Sequence, residues 1–315
     1  MAEESLRRAQ DHQDAAATVV AHRILGTGAF WRGEVAAARE PLERTLALYD
    51  PERHHSLAFL YVQDPRVAAL SGLSWTLFTL GYPEQAQARS REALDAAREL
   101  AHLNTLAYAL MFACFFEQFR RAGRDAQDRA EVLVALATEQ NFPHFLAAAT
   151  MVQGCALTEA GEVETGLAQL RQGLPAWRAT GAELYEPYFL GLQAEAHGRA
   201  GSVHEGLDLV AKALRRVEET GERWFEAELH RLAGELILQL PETDFAGAEA
   251  RLRQATTIAR LQNAKLWELR AATRLARLWT EQDRRGEAHD LLAPLYSQFT
   301  EGFGTPDLQV AQAIL

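Results

Sequence analysis

Cysteine is nearly absent from this chain. Only Cys114 and Cys155 occur in 315 residues. Each lies in an apolar helical stretch, so no secreted disulfide framework is implied and two small buried residues are expected. The N-terminus lacks the apolar core of a signal peptide, and no apolar run approaches the length of a membrane span. Positive charge is in deficit: 32 Lys and Arg stand against 43 Asp and Glu, for a net charge of −11. General affinity for nucleic acid or an anionic membrane needs a positive surface and is not expected. Serine is scarce, and no Gly-x-Ser-x-Gly elbow, His-Glu-x-x-His pair or Gly-x-x-x-x-Gly-Lys-Ser/Thr phosphate loop occurs. No nucleophile–base–acid set stands out. The expectation is therefore a cytoplasmic protein with no catalytic residues, no metal and no cofactor.

What is present is a repeat. Hydrophobic residues make up 48% of the chain and charged residues 24%, and Ala, Leu, Glu and Arg dominate, which favours helix. Small turn residues recur about every 40 positions. One ladder runs Asn141, Gly181, Gly221, Asn263; a second runs Gly33, Gly81, Gly123, Gly161, Gly201, Gly286. Gly and Asn accept the left-handed conformation at a helix C-terminus. Two interleaved ladders of helix stops define stacked helix pairs.

Apolar spacing supports this reading. Leu167, Leu170, Leu174 and Trp177 form one stripe, and Leu207, Val210, Leu214 and Val217 repeat it 40 residues later. A small residue near the start of each second helix (Ala38, Ala86, Gly166, Gly206, Ala248, Ala288) allows close approach, whereas Asp128 fills that slot in the third unit. The expected fold is all-α: a right-handed α-solenoid of about seven tetratricopeptide-like helix pairs forming one superhelical domain over residues 1–315. Residues 1–13 hold an orphan first helix, 14–299 the pairs, and 300–315 a capping helix begun by Thr305-Pro306-Asp307. The orphan helix reads as half of a pair, so a longer parent protein, a partner on the N-terminal face or self-association there is expected. Pro41, Pro175 and Pro294 fall inside second helices and are expected to kink or break them.

Several residue groups are candidates for binding. Tyr108, Phe112, Phe116 and Phe119 form an aromatic stripe, with Trp75 on the preceding first helix and His144 on the next. They read either as core or as an apolar patch on the inner wall of the superhelix. Tyr185 and Trp224 open their units as hydrophobic staples or ligand contacts. His55, Tyr61 and Asp64 lie in the long connection between the first two pairs, where function is often carried. Arg270, Arg274 and Arg277 make a basic stripe, solvated or able to receive an acidic peptide or phosphate. If the solenoid curls tightly, Tyr61, Asp64, His144, Tyr185 and Glu228 would line an enclosed pocket suited to an enzyme. The other expectation is an open concave trough that holds a peptide, a partner protein or a small effector.

Four segments carry a resemblance. They are Thr220-Gly-Glu-Arg-Trp-Phe-Glu-Ala-Glu-Leu-His-Arg-Leu-Ala-Gly-Glu-Leu236, Leu269-Arg-Ala-Ala-Thr-Arg-Leu-Ala-Arg-Leu278, Phe299-Thr-Glu-Gly-Phe-Gly-Thr-Pro-Asp-Leu308, and the stretch from Leu46 through Pro65. Together they resemble the C-terminal tetratricopeptide-like region of bacterial signalling proteins. In those proteins a class III adenylate/guanylate cyclase or a kinase precedes a STAND-type ATPase. More distantly, the chain is similar to the helical sensor domain of the maltose-regulon activator family. The resemblance implies effector sensing or partner binding, with nucleotide chemistry supplied upstream.

Overall fold

A computed structural model describes residues 2–315. Among the described residues every regular element is a helix. Helix α1 (Ala2–Asp11) packs on α2 (Ala15–Trp31), which pairs with α3 (Val35–Leu48). Two one-turn helices, α4 (Pro51–His54) and α5 (Leu57–Leu60), fill the long connection. The remaining pairs are α6 (Pro65–Thr79) with α7 (Pro83–Leu100), α8 (Leu103–Phe119) with α9 (Gly123–Glu139), and α10 (Pro143–Glu159) with α11 (Val163–Ala179). These are followed by α12 (Glu186–Arg199) with α13 (Val203–Thr220), α14 (Glu226–Ile237) with α15 (Phe245–Leu261), and α16 (Lys265–Glu281) with α17 (Arg285–Tyr296). Helix α18 (Pro306–Gln312) then lies on α16 and α17. The result is a tetratricopeptide-like solenoid of seven pairs.

The two members of a pair differ in sequence because they occupy different layers. First helices are the more deeply buried; α6 is buried from Val67 to Thr79 and α8 nearly throughout, whereas α14 and α16 also carry buried charge. Second helices are amphipathic: α7 buries only one stripe, Pro83, Ala86, Ser90, Ala93, Leu94, Ala96 and Ala97. An inner ring of first helices is thus wrapped by an outer ring of second helices. Small residues set the distance between the layers. A Cβ on Gly166 would stand 2.5 Å from the Gly154 carbonyl oxygen. Pro41, Pro175 and Pro294 lie inside α3, α11 and α17.

The turn ladder needs two corrections. In the third pair the left-handed residue is Arg121 (φ 58°), not Gly123, and in the seventh it is Asp283 (φ 61°), not Gly286. Gly123 is instead the first residue of α9. The slot five residues after Arg121 is then Ala126, which is buried, and Asp128 is exposed. Packing in the third pair therefore follows the common rule once the register is shifted by two. Ala101 (φ 52°) extends the other ladder backwards to 101, 141, 181, 221 and 263.

The superhelix coils far enough to meet itself, so the expected open trough is absent. The Trp31 carbonyl accepts from the N–H groups of Arg223 (2.8 Å) and Trp224 (3.3 Å), joining the first pair to the start of the sixth. The seventh pair and its tail sit on the second pair. Glu301 accepts from the N–H groups of Glu84 (2.9 Å) and Gln85 (3.1 Å), capping α7 from across the molecule, and the Gly302 N–H returns a bond to Glu84. Helix α7 has no side-chain cap of its own, so Glu301 supplies the acceptor that its free N–H groups and positive end require. Gly33 and Gly81 keep the contact close: a Cβ on Gly81 would stand 3.0 Å from the Phe299 ring.

Gly302 and Gly161 both have positive φ, but a Cβ on Gly302 would overlap the rigid Pro83 ring while nothing lies within 4 Å of Gly161. Gly161→Ala should cost about 1 kcal/mol from backbone strain alone. Gly302→Ala should cost clearly more, as read from paired urea melts; equal costs would mean that the two turns do not touch there.

Candidate functional site

Where the turns meet, the axis is filled by aromatic side chains. Trp75 stacks on Phe112 (ring centroids 4.3 Å apart) and on Trp224 (5.6 Å), and Trp31, Phe115, Phe119, Tyr185 and Tyr188 close around them. Trp75, Phe112, Phe116 and Trp224 are no more than 1% exposed, and Tyr108 and Tyr185 are also buried. The reading of these residues as an exposed apolar wall is therefore corrected. They do face the axis, but the second turn covers them, so they form core. The Trp75 indole N–H donates to the Phe112 carbonyl (3.1 Å) and the Tyr188 hydroxyl to Gln118 (2.8 Å), which satisfies the polar ends inside the plug.

Glu222, which the sequence reading passed over, holds the plug together. Its carboxylate accepts from the Tyr185 backbone N–H (3.0 Å) and the Trp224 indole (2.8 Å). Tyr185 takes the left-handed conformation (φ 69°) to make that bond. Burial pushes the Glu222 carboxyl up to about 7, against the two hydrogen bonds that pull it down.

On one side of the plug a cavity of about 280 Å³ is lined by Arg23, Trp31, Gln63, Tyr108, His144, Trp177 and Tyr185. The His144 ring lies against Trp177 (4.0 Å), and burial holds its pKa below the usual value. On the other side lies a polar cavity of about 400 Å³. Its walls are the C-terminal parts of α8, α10 and α12 from the first turn (Gln118, Arg121, Glu159, Glu195, Arg199). The second turn closes it with α14 and α16 (Glu228, Arg231, Glu235, Arg270).

A line of alternating charge runs through this second cavity. Arg231 joins Glu235 (2.7 Å) to Glu228 (2.9 Å), and Arg270 joins Glu228 (3.4 Å) to Asp307 (2.7 Å). Arg270 also donates to the Phe119 carbonyl of the first turn. Burial alone would raise Asp307, but Arg270 and Arg121 bring it below the ordinary carboxylate range. Glu228 and Arg270, both singled out in the sequence, are thus brought together as a buried structural pair. Arg274 lies beside them with one buried guanidinium nitrogen unbonded. Glu159 makes no ion pair; burial and then the neighbouring Glu195 raise its pKa.

The remaining candidates lie elsewhere. Asp64 is buried as the N-cap of α6, accepting from the Val67 N–H (2.9 Å) and the Tyr49 hydroxyl (2.6 Å). His55 is exposed, and Tyr61 is 41% exposed on the connecting segment. Tyr61, Asp64, His144, Tyr185 and Glu228 therefore do not share a pocket, and the enclosed enzyme site expected from them is not formed. No group of three or more His, Cys, Asp or Glu with metal-binding geometry occurs among the described residues. Around Tyr61 the sequence reading missed an apolar tip: Phe59, Leu60 and Val62 are 72%, 70% and 57% exposed. Four consecutive apolar residues in a connection were the available signal. Val62, a β-branched residue, is held at φ 68°, an uncommon strain.

These features define a closed helical-repeat superhelix with a polar axial cavity. No family model matches the chain. It is 27% identical over 244 residues to the uncharacterized protein R02095 of Rhizobium meliloti (strain 1021), covering 76% of this chain and 23% of that protein. The chain thus spans about a quarter of the length of the relative it matches. Among solved structures it is similar to a Rap protein complexed with competence and sporulation factor (TM-score 0.60, 14% identity, 93% of this chain, 77% of that one). It is also similar to the apo form of RapI (0.54, 13%, 87% and 94%) and to aspartyl phosphate phosphatase F from Bacillus subtilis (0.54, 12%, 93% and 74%). At these identities the likeness is one of fold. No helix is long and apolar enough to cross a membrane among the described residues.

Phe112→Ala should cost about 3–5 kcal/mol in chemical denaturation, as for a filled core position; a loss under 1 kcal/mol would mean that the ring is solvated. Glu222 gives a pH prediction. The folded chain keeps its proton up to about 7 and the unfolded chain only to about 4.5. The associated stability is full below 4.5 and is lost as pH rises through 7. Glu222→Gln should therefore gain on the wild type across that window, by up to about 3 kcal/mol. A stability difference that stays flat between pH 4.5 and 7 would refute the shift.

Proposed function

We propose that the chain is a non-catalytic, cytoplasmic sensor or scaffold module of a signalling protein, binding a peptide segment or polar effector in the axial cavity. The carrying observation is that this cavity is walled by both superhelical turns. Arg121, Glu159 and Glu195 belong to the first turn, and Arg231, Glu235 and Arg270 to the second. A ligand touching both walls binds the closed superhelix better than an opened one and so shifts the population toward closure. The Glu301–α7 clasp and the Trp31–Trp224 contact carry that change to the outer layer. A similarly folded Rap protein is complexed with competence and sporulation factor, which supports ligand capture as one use of such a superhelix. The resemblance to cyclase- and STAND-linked repeats, and the longer relative in Rhizobium meliloti, support attachment to upstream signalling domains.

The Phe59–Val62 tip supports a second contact, with a partner protein. Exposed adjacent apolar residues on a strained segment favour burial against another surface.

The axial site is tested by a thermal-shift screen of short basic and zwitterionic peptides and amine-bearing polar metabolites against wild type and the Glu159→Gln/Glu195→Gln double variant. Genuine axial ligands should bind the variant roughly tenfold more weakly, the loss of about one charge-assisted contact. Hits that bind both proteins equally would move the site elsewhere.

A further inference from the structure

Beside the axial cavity, and sharing Arg121, Glu235 and Arg270 with it, is a small pocket of about 60 Å³. Its other walls are Thr273, Arg274, Arg277, Asp307 and Val310. Four guanidiniums face two carboxylates there, an excess of two positive charges. Arg270 is committed to Asp307 through two hydrogen bonds (2.9 and 2.7 Å), and Glu235 to Arg231. The other three arginines are not so engaged. Among the described residues Arg277 makes no ion pair, Arg274 has a buried nitrogen without a partner, and Arg121 only approaches Asp307, at 3.6 Å. Thr273, 92% buried, has a hydroxyl with no partner in the protein. Unmatched buried polar atoms are costly and call for a ligand or a solvent partner.

Arg121 adds an independent observation. The equivalent residues of most other pairs are Gly33, Gly81, Gly161 and Gly201, in the same left-handed conformation, with Asp283 in the seventh. Here an arginine takes that conformation, at a strain of about 1 kcal/mol, and its side chain reaches the pocket. Arg121 and Asp283 are the two non-glycine residues held there, and of these the arginine places its side chain at the pocket, a strain consistent with a use for it. Positive crowding is visible too: the Arg270 guanidinium, then burial, holds Arg121 below its usual pKa.

We propose that this pocket binds a phosphoryl group through Arg121, Arg274, Arg277 and the Thr273 hydroxyl. The pocket is small, about 60 Å³, a size suited to the phosphoryl group rather than to a whole metabolite. A phosphate dianion carries the charge that neutralises the excess and enough oxygens to receive three guanidiniums and a hydroxyl. A lone carboxylate does neither, and Asp307 already plays that part for Arg270. The proposal deepens the axial reading in one respect only: the rest of a larger ligand would extend into the adjoining cavity.

The probes are inorganic phosphate and glycerol 3-phosphate, titrated by calorimetry against chloride at equal ionic strength. Saturable binding is expected to wild type. Tighter binding of the ester identifies the phosphoryl end of a larger ligand, and tighter binding of the free ion identifies phosphate itself. Either result supports the site. Arg277→Gln, an exposed and unpaired position, should fold normally and weaken phosphate roughly tenfold. Arg121→Gly should weaken phosphate similarly while matching or exceeding wild-type thermal stability, an opposition that a merely structural role would not produce. No saturable binding to wild type, or unchanged affinity in both variants, would overturn the proposal. Because inorganic phosphate fills only the small pocket, that failure would leave intact any axial ligand that depends on Glu159 and Glu195.

Discussion

Closure of the superhelix onto itself is the constraint on which the rest of the structure depends. A solenoid buries apolar surface between neighbours and needs no contact between distant repeats. This chain adds such contacts, two of which act as clasps. The Trp31 carbonyl bonds the amides before α14, and Glu301 caps α7 from more than 200 residues away. Once those clasps form, the inner face of the ring is covered, and aromatic residues that would be a wet wall in an open coil become a dry plug. The same closure brings α14, α16 and α18 over the ends of α8, α10 and α12, which creates the charged cavity. Without it there is neither plug nor site.

Pairing and layering were legible in the sequence because they are local. Helix stops recur at near-constant spacing, and the apolar stripes of the second helices and the aromatic stripe of a first helix mark the faces that meet. The two ladder errors have one physical source. Gly123 looks like the turn residue because glycine favours left-handed backbone, yet the third turn places Arg121 there and uses Gly123 to begin α9. A pattern that assumes the favoured residue always takes the special conformation fails where another residue is held there instead.

The site was only half legible. Glu228 and Arg270 were named, but their roles were not, because Arg270 finds Asp307 37 residues away on α18 and reaches the Phe119 carbonyl only when the second turn lies on the first. Glu222, Arg121 and Arg231 carried no local signal that set them apart from other charged residues, and Asp307 read only as part of the start of the capping helix. The segments that carried the family resemblance turn out to be largely the clasps. Thr220–Leu236 supplies Glu222, Trp224 and Glu228, and Phe299–Leu308 supplies Phe299, Glu301, Gly302 and Asp307. What was recognised as a motif was closure chemistry, whose partners lie too far away in sequence for periodicity to find.

The charged line also bears on how the cavity can respond. Burying Glu228, Arg231, Arg270 and Asp307 costs desolvation that their mutual bonds roughly offset, so the line by itself adds little net preference for the closed form. Its ion pairs all lie within α14, α16 and α18, and the hydrogen bond that ties the line to the first turn is the donation from Arg270 to the Phe119 carbonyl at the end of α8. The unmatched groups beside it, Arg121, Arg274, Arg277 and Thr273, are the opposite case: the closed form leaves them wanting partners. A ligand that satisfied those donors would favour the closed form only by as much as it bound that form more tightly than an opened one, so the leverage of such a site on closure is set by how many of its contacts the opened form would lose.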